Sequence, residues 1–464
     1  MKVSRRGLLS AAAPLLIPGA TFQGIAAAAD QGGQGALSTL RGPKFFIIAA
    51  YAQDPGSMSA WKGRGINTMI SPTDDFAGGN GPLWRKTCHD LGLKMIVGGR
   101  HEAEGGRYYP PRASNSYALN QSDPLVIGNH LADEPDQTPP LKAEHEAEIA
   151  FARSLGNTKP FHVAYTNNVT GMTYVGLGPQ QWVNWAAPDW LGADNYAYQI
   201  GYTYKYAALY ADEGYVGPFT TMSGHGVSVL VRGPLNKVPI THPNRAMIAY
   251  LATGRITDGA PGGQPWPRMT ALQFLLQAWS CIINGAAGLA MFAHYNAGSP
   301  HQIGDDTNAE LAGALATLAA EIAILESQPL GNVLMDTALG GRRAYIWRPC
   351  TDSVGGGGFK WPTDQPNFGS TSGLQLPPWF EGFEVALGGE TFCVALNLHD
   401  SQPKTLTDTR MNKSRDVFAP GQCKFWKRSA PSENLFAPLR PTALQRLGRH
   451  PTGGADATGD QVIG

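Results

Sequence analysis

Between residues 45 and 292 the chain repeats one theme: a short apolar run, a polar break, then a helical stretch or a long excursion. Phe45–Tyr51, Asn67–Ile70, Lys94–Gly99, Val126–Ala132, Phe161–Tyr165, Trp190–Ala193, Ala246–Leu251 and Gly288–Phe292 are the runs. Apolar runs without in-and-out alternation belong to parallel strands covered by helices on both faces. Helical patterns fall over 82–91, 141–155, 269–284 and 308–326, and Gly92 and Gly156 stand where a left-handed residue ends a helix. Strand after strand, each followed by a helix or a longer insertion, predicts an α/β fold closed as a (β/α)8 TIM barrel. The rival is an open, doubly wound sheet. Its glycine-rich phosphate loop is missing, because Ala50-Tyr51-Ala52-Gln53-Asp54-Pro55 after the first run lacks GxGxxG.

The pattern changes near Gly331. Arg343–Trp347, Phe383–Leu387, Thr391–Leu398 and Lys424–Trp426 are strand-like segments parted by Gly, Pro and Ser turns. They predict a small antiparallel, β-sandwich-like domain over 331–430 behind a barrel over 43–328. Residues 431–464 are polar and rich in glycine and proline, the composition of a flexible tail.

The N-terminus has a charged head, an apolar stretch from Leu8 to Ala29, and Ala27-Ala28-Ala29 as a small-residue cleavage site before Asp30. Arg5-Arg6 ahead of Leu8-Leu9 resembles a twin-arginine signal, a receptor-read address and not an anchor. That resemblance implies export to the periplasm or the outside of a bacterium, with residues 1–29 as signal and 30–42 as linker. A membrane-spanning helix is the competing reading, and Pro14, Pro18 and Gly19 interrupt it.

Formal net charge is +0 and long runs of like charge are missing, so nucleic acid and anionic membrane are poor partners. The five cysteines lack CxxC spacing, so a zinc site is not expected, and the expectation is of neither another metal nor an organic cofactor. Cys88 and Cys281 lie in apolar helical contexts and read as buried thiols. Among Cys350, Cys393 and Cys423, two are able to pair after export, and the odd count leaves at least one thiol or an intermolecular bridge.

A barrel of this kind carries its active site at the carboxyl ends of the strands. The sharpest such end is Gly128-Asn129-His130-Leu131-Ala132-Asp133-Glu134-Pro135, where an apolar strand stops in two carboxylates and a proline blocks further ladder bonding. Here, and in Gly65-Ile66-Asn67-Thr68 and Asn284-Gly285-Ala286 leading into strands 2 and 8, the chain resembles the clan A superfamily of retaining barrel glycoside hydrolases. In that superfamily an Asn-Glu pair closes strand 4 and its Glu is the acid/base. The resemblance therefore implies Glu134 as proton donor, with Asp133 in the place of the Asn. It also implies a carboxylate nucleophile after strand 7, where this chain has Ala249-Tyr250-Leu251-Ala252-Thr253-Gly254-Arg255 and no Glu. Asp194, ending the sixth run beside Tyr196, is the first candidate for the second carboxylate, with Glu102 and Asp258 behind it.

Glycoside cleavage needs an acid to protonate the leaving oxygen and a second carboxylate across the bond, and a neighbouring carboxylate helps keep the acid protonated. Candidates for binding sugar hydroxyls or ring faces are His101, Glu102, Asn167, Tyr196, Tyr198, Arg255, His294 and Tyr295, with Trp61, Trp84, Tyr108 and Tyr109 among the aromatics near these loops. HExxH and GxSxG motifs are both lacking. The expectation is a secreted hydrolase of an oligo- or polysaccharide. Its rivals are a non-catalytic carbohydrate-binding barrel and a different hydrolase or lyase using His101 or His294 as base.

Overall fold

The computed structural model describes residues 45–71, 81–98, 101–102, 108–109, 116–133, 142–165, 189–195, 246–253, 271–284, 286–292, 309–327, 342–347, 380–397, 403–408 and 411–436. All belong to one compact unit, Arg41–Gly464. The signal and linker expected over 1–42 lie outside the described residues.

Eight parallel strands close into a barrel: β1 (Ile47–Tyr51), β2 (Thr68–Ser71), β3 (Lys94–Gly98), β6 (Val126–Asp133), β7 (Phe161–Tyr165), β8 (Trp190–Asn195), β9 (Ala246–Ala252) and β10 (Gly288–Phe292). β1 pairs with β10 from Ile47↔Gly288 to Ala50↔Met291, which completes the ring and excludes the open sheet. β4 (His101–Glu102) and β5 (Tyr108–Tyr109) form a short antiparallel ladder in the excursion after β3. The barrel strands coincide with the apolar runs because every one is covered on both sides, so propensity and burial favour the same residues.

The described helices are α1 (Met58–Gly63), α2 (Gly81–Leu91), α3 (Ser116–Ser122), α4 (Lys142–Ser154), α5 (Ala271–Asn284) and α6 (Ala309–Glu326). Gly92 and Gly156 adopt positive φ just past α2 and α4, as C-cap glycines do. Side chains tie the ring shut. Glu326, at the end of α6, accepts the Phe46 N–H at 2.8 Å. Asn67 accepts the Ile48 N–H and donates to the Phe46 carbonyl, each at 2.9 Å, extending the β1–β2 ladder by one amide.

Behind the barrel lies a four-stranded antiparallel sheet ordered β11 (Arg342–Trp347), β12 (Phe380–Leu387), β13 (Glu390–Asn397) and β16 (Cys423–Lys427). Alternation splits its faces. Phe383, Val385, Phe392, Val394, Leu396 and Phe425 join the barrel's own core. Phe380, Cys393, Ala395 and Trp426 pack beneath Leu406, Met411 and Phe418 of the hairpin β14 (Lys404–Asp408) and β15 (Lys413–Phe418). A polar contact crosses from barrel to sheet, Ser280 of α5 donating to Glu381 of β12 at 2.7 Å, and within the helical layer Trp279 Nε1 donates to Glu321 of α6 at 2.7 Å. Phe436 is buried against Trp279 and Phe425.

Cys88 and Cys281 are buried free thiols, as expected; burial pushes Cys88 up to about 12 and raises Cys281 well above the ordinary thiol value. Cys393 and Cys423 are also free and buried, so the expected bridge does not join these two. The register explains it. Cys393 lies opposite Trp426 and Cys423 opposite Leu396, which puts the two sulfurs on opposite faces of the sheet. Cys350 lies outside the described residues.

Candidate functional site

The carboxyl ends of the barrel strands share one floor of aromatic rings. Tyr51 on β1 approaches His130 on β6 at 6.0 Å between ring centroids, although β2 and β3 separate those strands around the ring. Such a contact is made only through the lumen. Tyr51 also meets Tyr250 at 5.5 Å and Phe292 at 6.2 Å. His162 on β7 stacks on Tyr250 of β9 at 5.8 Å and 20°, spanning β8 between them.

Gly192 is the reason that stack exists. A Cβ there would fall 2.8 Å from His162 Nε2, 2.9 Å from the Ala164 Cα and 2.9 Å from Tyr250 Cε2. Gly128 does the same lower down, where a Cβ would meet the Trp190 ring at 2.8 Å. Bulky interior rings therefore face glycines on neighbouring strands, the large-against-small filling of a packed barrel core.

His130 and His162 share a hydrogen bond, Nδ1 to Nδ1 at 2.9 Å, and both are buried. One ring must donate and the other accept, so the bond requires at least one neutral imidazole. Burial first, and His130 second, hold His162 well below the usual histidine range. Among the described residues its Nε2 lacks a hydrogen-bond partner. His130 is thus held in place by His162.

The wall around β1 is braced from outside. Ala52, just past the strand, has φ of 52°, a left-handed conformation uncommon without glycine. It turns the chain so that Gln53 donates to the Tyr51 carbonyl at 2.8 Å and accepts from Trp61 Nε1 at 2.9 Å, while Trp84 Nε1 donates to the Gln53 carbonyl at 3.0 Å. Trp61 and Trp84 are buried, so these two aromatics brace the first loop and present no face to a sugar.

Asp133 ends β6 and is half-buried. Asp194 lies on β8 with its Cα opposite Tyr250, on the strand face shared by Trp190 and Gly192. His101 and Glu102 lie on β4, opposite Tyr109 and Tyr108. Glu134, Asn167, Tyr196, Tyr198, Arg255, His294 and Tyr295 lie outside the described residues. After the seventh barrel strand comes Thr253, buried, donating to the Phe292 carbonyl at 2.5 Å. Among the described residues, clusters of three or more His, Cys, Asp or Glu placed to hold a metal ion are absent.

The floor residues Tyr51, His162 and Tyr250 were readable only through period-two counting along strands already known to be parallel. Once Trp190 is taken as interior, Gly192 and Asp194 follow, and the glycine marks a close approach.

Neither a family model nor a curated protein matches the chain. Solved structures to which it is similar include a debranching enzyme from Nostoc punctiforme, 12% identical, covering 80% of this chain and 87% of that one at a TM-score of 0.41. A cyclic α-maltosyl-(1→6)-maltose hydrolase from Arthrobacter globiformis is 10% identical over 83% of this chain and 93% of that one, with a TM-score of 0.43. A family 51 α-L-arabinofuranosidase from Bifidobacterium longum is 12% identical over 78% and 84%, with a TM-score of 0.41.

Proposed function

We infer that the chain is an exported glycoside hydrolase acting on an oligo- or polysaccharide. The observation that carries this reading is the Asp133-Glu134-Pro135 sequence leaving the fourth parallel strand of a closed barrel at its carboxyl end. Glu134 gives its proton to the leaving glycosidic oxygen as the bond to the anomeric carbon breaks. A second carboxylate, for which Asp194 is the first candidate, takes a proton from the attacking water or bonds to the anomeric carbon itself. Carboxyl groups about 5–5.5 Å apart retain configuration, and about 6.5–9.5 Å apart invert it.

The test is product release from a broad panel of bacterial and plant polysaccharides, wild type beside Glu134→Gln. The expected result is cleavage of a polymer by the wild type and a loss of about 10²–10⁴-fold in the variant, the usual contribution of a positioned acid. Equal activity in both removes Glu134 from the mechanism. A second reading, a carbohydrate-binding barrel without turnover, is favoured by Thr253 standing after the seventh strand in place of a carboxylate. Retention of intact sugars on an array by a wild type that releases no product would select it. The signal-like N-terminus supports export, and recovery of the processed chain outside the cytoplasm is the corresponding measurement.

A further inference from the structure

The lumen of a barrel of this kind is ordinarily filled by branched apolar side chains. Here two imidazoles stand in it. His130 and His162 are Cα partners in the β6–β7 ladder, so their rings lie side by side, joined Nδ1 to Nδ1 at 2.9 Å. Four rings from four strands then close a circuit through the lumen. His130 meets His162 at 5.1 Å between centroids, His162 meets Tyr250 at 5.8 Å, Tyr250 meets Tyr51 at 5.5 Å, and Tyr51 returns to His130 at 6.0 Å.

Such a pair has a fixed proton count. While neutral it holds two N–H groups, one in the shared bond and one on the Nε2 of the accepting ring. The Nε2 of the donating ring is then bare, and His162 is free to be that ring. One added proton removes the choice: with the shared bond kept, both Nε2 atoms carry hydrogen. His162 Nε2 is wholly buried, lacks a hydrogen-bond partner among the described residues, and lies 2.8 Å from where a Cβ on Gly192 would fall, against bare β8 backbone. A buried donor without an acceptor loses its hydration and gains nothing in return.

The neighbouring strands do little for a charge there. β1 and β9 bring Tyr51 and Tyr250, and a phenol carries no charge in acid. β3 brings Gly98 opposite His130, and β10 brings Phe292. Asp194 lies on β8 two residues past Gly192, and Asp133 ends β6. The Tyr250 face attracts a cation, but burial, followed by repulsion from His130, wins and holds His162 well below the usual histidine range.

We propose that the four-ring circuit is an acid-sensitive latch: a proton taken up by the His130–His162 pair expels His162 from its stack on Tyr250 and loosens β6, β7 and β9 around the site, while the seam between α5 and the C-terminal sheet stays folded. Opening displaces the end of β6, from which Asp133-Glu134 continues, so the latch switches the site independently of what that site cleaves. The closed floor binds the proton more weakly than the open one. The latch is therefore shut above pH ~6.5, and its opening constant grows by up to about tenfold per unit as pH falls below that.

Two measurements test it. The first is hydrogen exchange of the whole chain, read by peptide mass from about pH 7 to about pH 4.5 and corrected for the intrinsic pH dependence of exchange. Protection of β6, β7 and β9 peptides should fall by up to about tenfold per unit and recover on return to neutral pH, while α5, β12 and β13 peptides keep theirs. In His162→Gln, which has no proton to gain, protection of the same strands should stay within about twofold across the range. Loss in all peptides together, protection that ignores pH, or a variant that responds as the wild type does overturns the proposal.

The second measurement needs no variant. Nitrogen NMR of the chain labelled at its histidines should show, at neutral pH, a scalar coupling between two imidazole Nδ1 atoms, the signature of the shared bond. It should vanish over the same pH range in which β6, β7 and β9 lose protection. A coupling missing at neutral pH, or one that persists while the pair takes up its proton, overturns the latch.

Discussion

Gly65 lies in the turn between α1 and β2 at φ of 98°, and a Cβ built on it falls 2.3 Å from the Ala319 Cβ of α6. Gly65→Ala therefore adds two separable penalties. Left-handed backbone in a residue with a Cβ costs about 1–2 kcal/mol. Forcing a methyl group into a packed contact costs a further ~1–3 kcal/mol, because α6 or the turn must move. The sum is about 2–5 kcal/mol. Ala319→Gly alone should cost about 1 kcal/mol, the helix-interior penalty of glycine. In the double variant the overlap disappears and only the backbone and helix penalties remain. The cycle should then show a favourable coupling of about 1–3 kcal/mol. Equilibrium unfolding in urea, followed by far-UV circular dichroism and tryptophan fluorescence, gives all four stabilities provided the two probes coincide. A coupling within about 0.3 kcal/mol of zero would falsify the claim that the Gly65–Ala319 approach limits this position.

Two further outcomes follow from the barrel interior and its brace. Trp61→Phe removes the indole N–H held by Gln53 and leaves a void in a fully buried site, so a loss of about 2–4 kcal/mol is expected by urea unfolding; a change under 0.5 kcal/mol would show that the brace is dispensable. His162 has a folded-state pKa depressed below its ordinary 6.5, so below that pH the unfolded chain binds the extra proton. Its contribution is present above pH ~6.5 and is lost as pH falls, at up to about 1.4 kcal/mol per unit. His162→Gln should flatten that component of stability measured between pH 7 and 5, and an unchanged slope would assign the pH dependence to other groups.

The barrel was legible because each of its strands is apolar on both sides, which leaves a contiguous run in the sequence. The surface elements were harder. α3, Ser116–Ser122, buries only part of a polar heptapeptide, and its fit depends on Asn120 meeting Asn129 at 3.0 Å, a contact between residues unremarkable in the chain. The hairpin β14–β15 carries mixed polar residues and is defined by what Leu406, Met411 and Phe418 cover. The site was half legible: a strand ending in two carboxylates is visible in letters, but the face Asp133 occupies depends on a one-residue slip against β7 that local sequence does not display. Trp61 and Trp84 misled for the same reason, since an aromatic near a loop reads identically whether it stacks on a ligand or hydrogen-bonds Gln53.

The seam between α5 and the four-stranded sheet bears on how the chain is handled as well as on how it folds. Phe383, Val385, Phe392, Val394, Leu396 and Phe425 belong to the same buried cluster as the barrel strands, and Phe436 lies on Trp279. Cutting the gene after α6 would leave that face of the barrel greasy and wet, an aggregation surface in place of a trimmed enzyme. The sheet is thus a late-synthesised cover over α5 on the barrel's helical layer. A ribosome must deliver the chain through Phe436 before the first strand, made hundreds of residues earlier, has its final surroundings.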